Sequence, residues 1–139
     1  MKIALLIDAE NYLDPMNMFE QFSSELNLLG EVEEKIAFGG WSYNKRLQIW
    51  KELCLINNIR MVNHRGFTGK NASDKALIKT ATELIRKRKA DALAIYSRDS
   101  GFSLVFPVWK SMGVRIIVPQ YGRECIPDAD YYILTERTK

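Results

Sequence analysis

The sequence predicts an α/β domain: a three-layer sandwich with a mainly parallel central sheet. Three observations predict it. Short apolar runs of strand length alternate with helix-period segments along the whole chain, the pattern of successive strand–helix–strand units. Two runs, Ile3–Ile7 and Ala92–Tyr96, are apolar at every position, as expected of strands covered on both faces. No repeat, low-complexity tract or linker interrupts the alternation, so residues 1–139 read as a single domain.

The elements follow in order. Ile3–Ile7 is the first strand. Phe19, Phe22, Leu26 and Leu29 recur at helical spacing, and Gly30 ends that helix. A second strand covers Glu34–Trp41. Asn44–Asn57 is helical, with Leu47, Trp50, Leu53 and Cys54 on one side. Ile59–Asn63 is a short strand. Ser73–Lys87 is a helix capped by Ser73 or Asn71. Ala92–Tyr96 is a central strand, Ser103–Met112 a helix closed by Gly113, Val114–Val118 a strand, and Tyr131–Leu134 the last one. Trp50 and Trp109 fall on apolar helix faces and are expected in the core.

Composition excludes some classes. Apolar residues at 47% and charged residues at 27% are ordinary for a globular protein. No stretch approaches the ~20 apolar residues of a membrane span, and the first apolar run is too short for a signal peptide. No membrane contact and a cytoplasmic location are the expectations. Cys54 and Cys125 form neither a zinc motif nor a redox pair. The net charge is +3, with Arg86–Lys89 in a run and Lys70, Lys75 and Lys79 upstream. The run reads as a solvated helix end, where cations are favoured, or as part of a phosphate-tracking patch.

Chemistry concentrates in three segments, IDAEN (7–11), GKNASD (69–74) and YSRDSGF (96–102). Asp8 ends the first strand and Asp99 follows the fourth. Asp74 shares a helix face with Leu77, Ile78, Ala81, Leu84 and Ile85, so it faces the sheet from the helix end nearest the strands' carboxyl termini. In parallel sheets that edge is where ligands bind. Each acid alone has an ordinary reading: a turn cap for Asp8, a first-turn acid for Asp74, an N-cap for Asp99. Together they would repel one another unless a cation joins them or one keeps its proton. Mg²⁺ and Mn²⁺ suit such oxygen ligands. Asn11 adds an amide that holds Asp8 or orients a water.

These segments resemble the NYN domain family, in its LabA-like (DUF88) bacterial branch, a relative of the PIN-domain nucleases. The resemblance runs through IDAEN, AFGGW (37–41), GKNASDKAL (69–77), SRDSGF (97–102), MGVRIIV (112–118) and DADYYIL (128–134). It implies a PIN-like, Rossmann-like fold and a metal-dependent ribonuclease site. Carried over residue by residue, Asp8, Asp74 and Asp99 become ligands of Mg²⁺ or Mn²⁺, Asn11 the asparagine beside them, and Ser97 the serine before the aspartate loop. The sequence departs from the family pattern at Arg98, where the family carries a glycine, and at three positions where it carries acids. Gly101 stands where the family carries a second aspartate, Thr80 where a further acid is common, and Gly40 where an acid precedes the tryptophan.

Two functional readings follow. In the first, the chain is a metal-dependent ribonuclease. Asp8, Asp74, Asp99 and Asn11 carry the reaction, Glu10 or Asn11 positions a water, and Lys70, Lys75, Arg98 and Ser97 meet single-stranded RNA. In the second, Gly101, Thr80 and Gly40 mark a weakened or inactive module that binds RNA or a protein. No phosphate-cradling loop supports a nucleotide-binding enzyme. Trp41 and Tyr43 read as packing over the sheet end or as a stacking surface. Phe67 reads as an RNA-facing lip and the lone His64 as structural. The oligomeric state stays open, a homodimer included.

Overall fold

The computed structural model describes residues 1–11, 16–42, 45–63 and 72–135. Among the described residues, seven strands form one sheet: β1 (Lys2–Asp8), β2 (Glu31–Gly39), β3 (Arg60–Asn63), β4 (Ala92–Tyr96), β5 (Arg115–Tyr121), β6 (Glu124–Cys125) and β7 (Tyr131–Thr135). Four α-helices connect them: α1 (Met16–Leu29), α2 (Gln48–Asn57), α3 (Ala72–Arg86) and α4 (Phe106–Ser111). The strands run in the order β3-β2-β1-β4-β5, and β7 lies beyond β5. All their pairings are parallel except that of the short β6. The α/β sandwich predicted from the sequence is the observed architecture.

The strand order explains the two layers of helices. From β1 the chain steps outward to β2 and β3, then returns to the other side of β1 as β4. Because crossovers are right-handed, reversing the direction of travel moves the helices to the opposite face. Accordingly α1 and α2 pack on one face, where Phe19, Phe22, Leu26, Trp50 and Leu53 meet Ile3, Leu5, Ile7 and Tyr96. Helices α3 and α4 cover the other, where Leu77, Ala81, Ile85, Phe106 and Trp109 meet Leu6, Ile36, Phe38 and Ile95. Trp50 and Trp109 are fully buried, as expected. Alternation along β1 and β4 therefore turns the even residue Asp8 and the odd residue Ser97 toward the α3 side.

Several element ends differ from the sequence reading, each for a local reason. The helix expected over Ser103–Met112 is split into a 3-10 turn, Ser100–Leu104, and α4. Pro107, near the amino end of α4, has no N–H, and its ring would meet the carbonyl four residues back. Strand β5 continues past Val118, and a two-residue turn leads into β6, which was not expected. Gly122 sits in that turn at φ 59°, the conformation such hairpins require. Gly30 ends α1 because any side chain there would collide: a Cβ would lie 2.3 Å from the Met1 carbonyl oxygen.

The cationic run Arg86–Lys89 closes α3. Arg88 adopts a left-handed conformation, φ 56°. Its N–H donates to the Ile85 carbonyl at 3.0 Å, and the Lys89 N–H donates to Leu84 at 3.0 Å. This is a Schellman closure. At 1.5 Å per residue, Arg86 lies about 18 Å along the helix from Asp74. The run is thus a helix end at the amino edge of the sheet, remote from the candidate site.

Candidate active site

The site lies where the strand order reverses, between the carboxyl ends of β1 and β4. Asp8 is the last residue of β1, paired with Phe38 in β2. Its neighbour strand β4 ends at Tyr96, whose ring packs edge-on against Phe19 and Trp50 at 5.3 and 5.8 Å between centroids and lies 5.1 Å from Phe22. Such pairs contribute about 0.5–1.5 kcal/mol each beyond their burial. They anchor the strand end that presents Ser97. Asp74 stands in the first turn of α3, which reaches the same edge from the next layer. Asp99 follows Ser97 by two residues and caps the 3-10 turn, its Oδ1 accepting the Gly101 N–H at 2.9 Å. The N-cap reading of Asp99 is therefore observed.

The hydrogen bonds converge on one oxygen. Asp8 Oδ2 accepts from Asn11 Nδ2 at 2.6 Å and from the Ser97 hydroxyl at 3.0 Å. The same Ser97 oxygen accepts the Asp99 N–H at 3.0 Å. Asp8 is fully buried, and among the described residues neither its Oδ1 nor the buried Oδ1 of Asp74 has an N–H or O–H donor. Asp74 is within hydrogen-bonding reach of both Asp8 and Asp99. Carboxylates so placed must share a proton or a cation.

The three carboxyls do not all shift the same way. Burial pushes the Asp74 carboxyl up to about 8, reinforced by its bond to Asp99 and the charges of Asp8 and Asp99. The bond from Asp74, joined by the Gly101 N–H, holds Asp99 below its ordinary value against the opposing effect of burial. Burial raises Asp8, while Asn11 and Ser97 counter it. Burial thus favours the protonated form of Asp74, while Asp99 is held toward its ionised form.

Among the described residues, no group of three His, Cys, Asp or Glu side chains is arranged as a ready metal cage. The donor set still fits a hard cation. Asp8 and Asp74 each carry a buried oxygen with no donor among the described residues, and Mg²⁺ is ordinarily held by one or two carboxylates with waters and substrate phosphate completing its shell. Asp8, Asp74 and Asp99 are the residues that would hold it.

The comparisons with known proteins now have a geometry to meet. The NYN domain model matches residues 2–134. The chain belongs to the NYN domain family. NYN domains are generally nucleases, act on RNA and use divalent metals. The structure is similar to the crystal structure of a protein of unknown function from Vibrio parahaemolyticus, with a TM-score of 0.70 and 18% identity, over 96% of this chain and 91% of that one. That likeness supports the fold alone. No curated protein matches.

The structure sorts this NYN domain's departures from the family pattern. Thr80 is not at the site. It lines a cleft with Glu34, Arg60, Glu83 and Lys87, a turn and a half along α3 from Asp74. An acid missing there takes nothing from the carboxylate cluster. Gly40 gives its N–H to Glu10 Oε1 at 2.9 Å. Glu10, which with Asn11 was expected to position a water, ties the turn after β1 to the end of β2 through this bond. At Gly101 a Cβ would come within 3.0 Å of Asp99 Oδ1, so the glycine lets Asp99 curl back onto its own turn.

The remaining residues divide clearly. Ser97, expected at the RNA, is buried beneath the carboxylates and holds them in place. Arg98 is ion-paired with Glu124 and lies over the Tyr121 ring, 5.6 Å from its centroid. Lys75 is exposed beside Asp74. Trp41 is packed rather than presented: its indole N–H donates to the Val62 carbonyl at 2.9 Å and its backbone N–H to Asn63 at 3.1 Å. Lys70, Tyr43, Phe67, His64 and the Asn71 cap lie outside the described residues, as does the Ser73 side chain. Sequence reasoning missed Tyr121, Arg123 and Glu124, although Gly122 between two polar flanks is a usable hairpin signal.

Proposed function

We propose that this NYN domain is a metal-dependent ribonuclease, with Asp8, Asp74 and Asp99 as its carboxylates and the family's LabA-like branch as its place. The carrying observation is that three acids from three separate elements meet at the strand-order switch, two of them with buried oxygens that have no donor among the described residues.

A bound Mg²⁺ or Mn²⁺ supplies water activation and charge neutralisation at the scissile phosphate. The chain's own residues prepare for it. Asn11 and Ser97 occupy Asp8 Oδ2, leaving Oδ1 for a ligand. Asp74 would hold the cation as a carboxylate, its proton passing to solvent, because a ligating carboxylate is deprotonated. The Gly101 N–H fixes one oxygen of Asp99 and so the direction of the other. Lys75 and Arg98, with Lys70 from the sequence reading, supply cations for the backbone of single-stranded RNA.

The test is cleavage of a mixed single-stranded RNA in Mn²⁺, Mg²⁺ or EDTA, with wild type and Asp8→Asn purified in parallel. Metal-dependent cleavage lost in the variant is the expected result. No cleavage, or equal cleavage by both proteins, overturns it. A second reading, an inactive module that binds RNA or a partner protein, draws on Gly101 and on the absence of a ready three-ligand cage among the described residues. It requires RNA binding that survives Asp99→Asn.

A further inference from the structure

A cavity of about 360 Å³ opens beside the carboxylates, within the ~300–1,000 Å³ range of small-molecule sites. Ser97, Arg98, Tyr121, Arg123, Glu124 and Cys125 contribute to its walls. Strand pairing explains why it is there. Ile117 of β5 pairs with Ala94 on one edge and Tyr131 on the other. Gln120 pairs with both Cys125 and Leu134. Since β7 holds one edge throughout, β6 must lie on the edge of β4, just past the point where β4 ends. The hairpin therefore encloses space against the Ser97–Ser100 loop. Ser97 belongs to both features, because its hydroxyl grips Asp8 while the residue lines the cavity.

The wall chemistry is specific. Arg98 rests over the Tyr121 ring and is held at its edge by Glu124. A guanidinium fixed in this way offers a flat surface on which a nucleobase stacks. Arg123 adds a second guanidinium, suited to forked contacts with phosphate. Aromatic and cationic groups in one concave wall, adjoining a phosphodiester-cleaving site, make a nucleotide the fitting occupant.

We propose that this cavity is a nucleotide subsite, holding the RNA unit next to the scissile phosphate with its base on the Arg98–Tyr121 stack and its phosphate toward Arg123. The subsite rests on the ribonuclease reading for its place in a reaction, but its occupancy is measurable without cleavage.

The cysteines provide the readout. Cys125 is exposed in the cavity wall, and Cys54 is buried with its thiol pushed up to about 12. The full chain is alkylated with N-ethylmaleimide in EDTA, and each cysteine is followed by mass spectrometry. Labelling of Cys54 reports unfolding. Nucleoside 5′-monophosphates should slow Cys125 labelling roughly fivefold at about four times their dissociation constant. Tyr121→Ala should abolish the protection and Tyr121→Phe should keep it; Arg123→Ala, at an exposed position, should weaken it. Absence of protection by all four nucleotides overturns the subsite, as does equal protection by inorganic phosphate alone. The cleavage assay separates the two ideas. Cleavage without protection retains the nuclease and removes the subsite, whereas protection without cleavage does the reverse.

Discussion

The Ser97 hydroxyl donates to Asp8 Oδ2 at 3.0 Å across 89 residues of sequence. It joins the ends of the two central strands at the one place where the strand order reverses. Together with Asn11 it blocks one oxygen of Asp8 and leaves the other donorless. The chain thus orients a buried carboxylate before any ligand arrives.

That clamp is expected to matter for metal affinity more than for folding. Ser97→Ala and Asn11→Ala should each weaken Mn²⁺ binding by about 10–100-fold, the usual effect of removing a partner that orients a metal ligand. Calorimetric titration at fixed pH measures this, and a melting temperature near wild type shows the fold is intact.

The Asp74 proton makes stability depend on pH. Its carboxyl titrates at about 8 in the folded chain and near 3.9 when unfolded. The folded state therefore holds a proton that the unfolded state releases. This contribution is fully present below about pH 4 and is lost as pH rises through about 8. Asp99, held low, contributes in the opposite sense, losing stability as pH falls through its folded value. In EDTA, urea denaturation should show this contribution falling as pH rises from about 4 to about 8 and levelling off above it. Mn²⁺ displaces the same proton, so its affinity should rise about tenfold per pH unit up to about 8. Titrations in two buffers of different ionisation heat should detect close to one proton released; none released would contradict the assignment.

Asp74→Asn should separate stability from chemistry. The amide donates where the protonated acid did and never ionises. Metal-free protein at about pH 8 should gain roughly 1–3 kcal/mol, while metal-dependent cleavage disappears. Parallel denaturation and cleavage assays decide both halves.

Arg88→Gly should stabilise the protein by about 1 kcal/mol, because it relieves a left-handed conformation that costs an L-residue about 1–2 kcal/mol. The melting temperature should rise, and Mn²⁺ affinity should not move, since α3 carries this end far from Asp74.

Trp41→Phe tests the packed assignment. Loss of the indole bond to Val62 should cost about 0.5–1.5 kcal/mol and leave RNA affinity unchanged. A large loss of RNA binding at unchanged stability would restore Trp41 as a stacking surface.

Much of this was legible in the residues. The alternation of strand and helix shows because apolar periodicity is a local property, and Ile3–Ile7 and Ala92–Tyr96 advertise their burial on both faces. The three aspartates are legible because each stands where an apolar run ends or a helix begins. The broken helix at Pro107 and the hairpin at Gly122 had local signals too, outweighed by apolar spacing in one case and by the brevity of β6 in the other. Thr80 could not be sorted by motif, since only its position on α3 shows that it leaves the sheet edge.

By itself, the sequence determined the α/β layering, the central pair of strands and the acids at their ends, all consequences of burial pattern and chain order. Only the tertiary structure decided that burial raises the Asp74 carboxyl, that the Ser97 hydroxyl donates to Asp8, and that a turn after β5 walls a cavity beside them. Those depend on desolvation and on distances between groups far apart in the chain, which come into being when the strands pair.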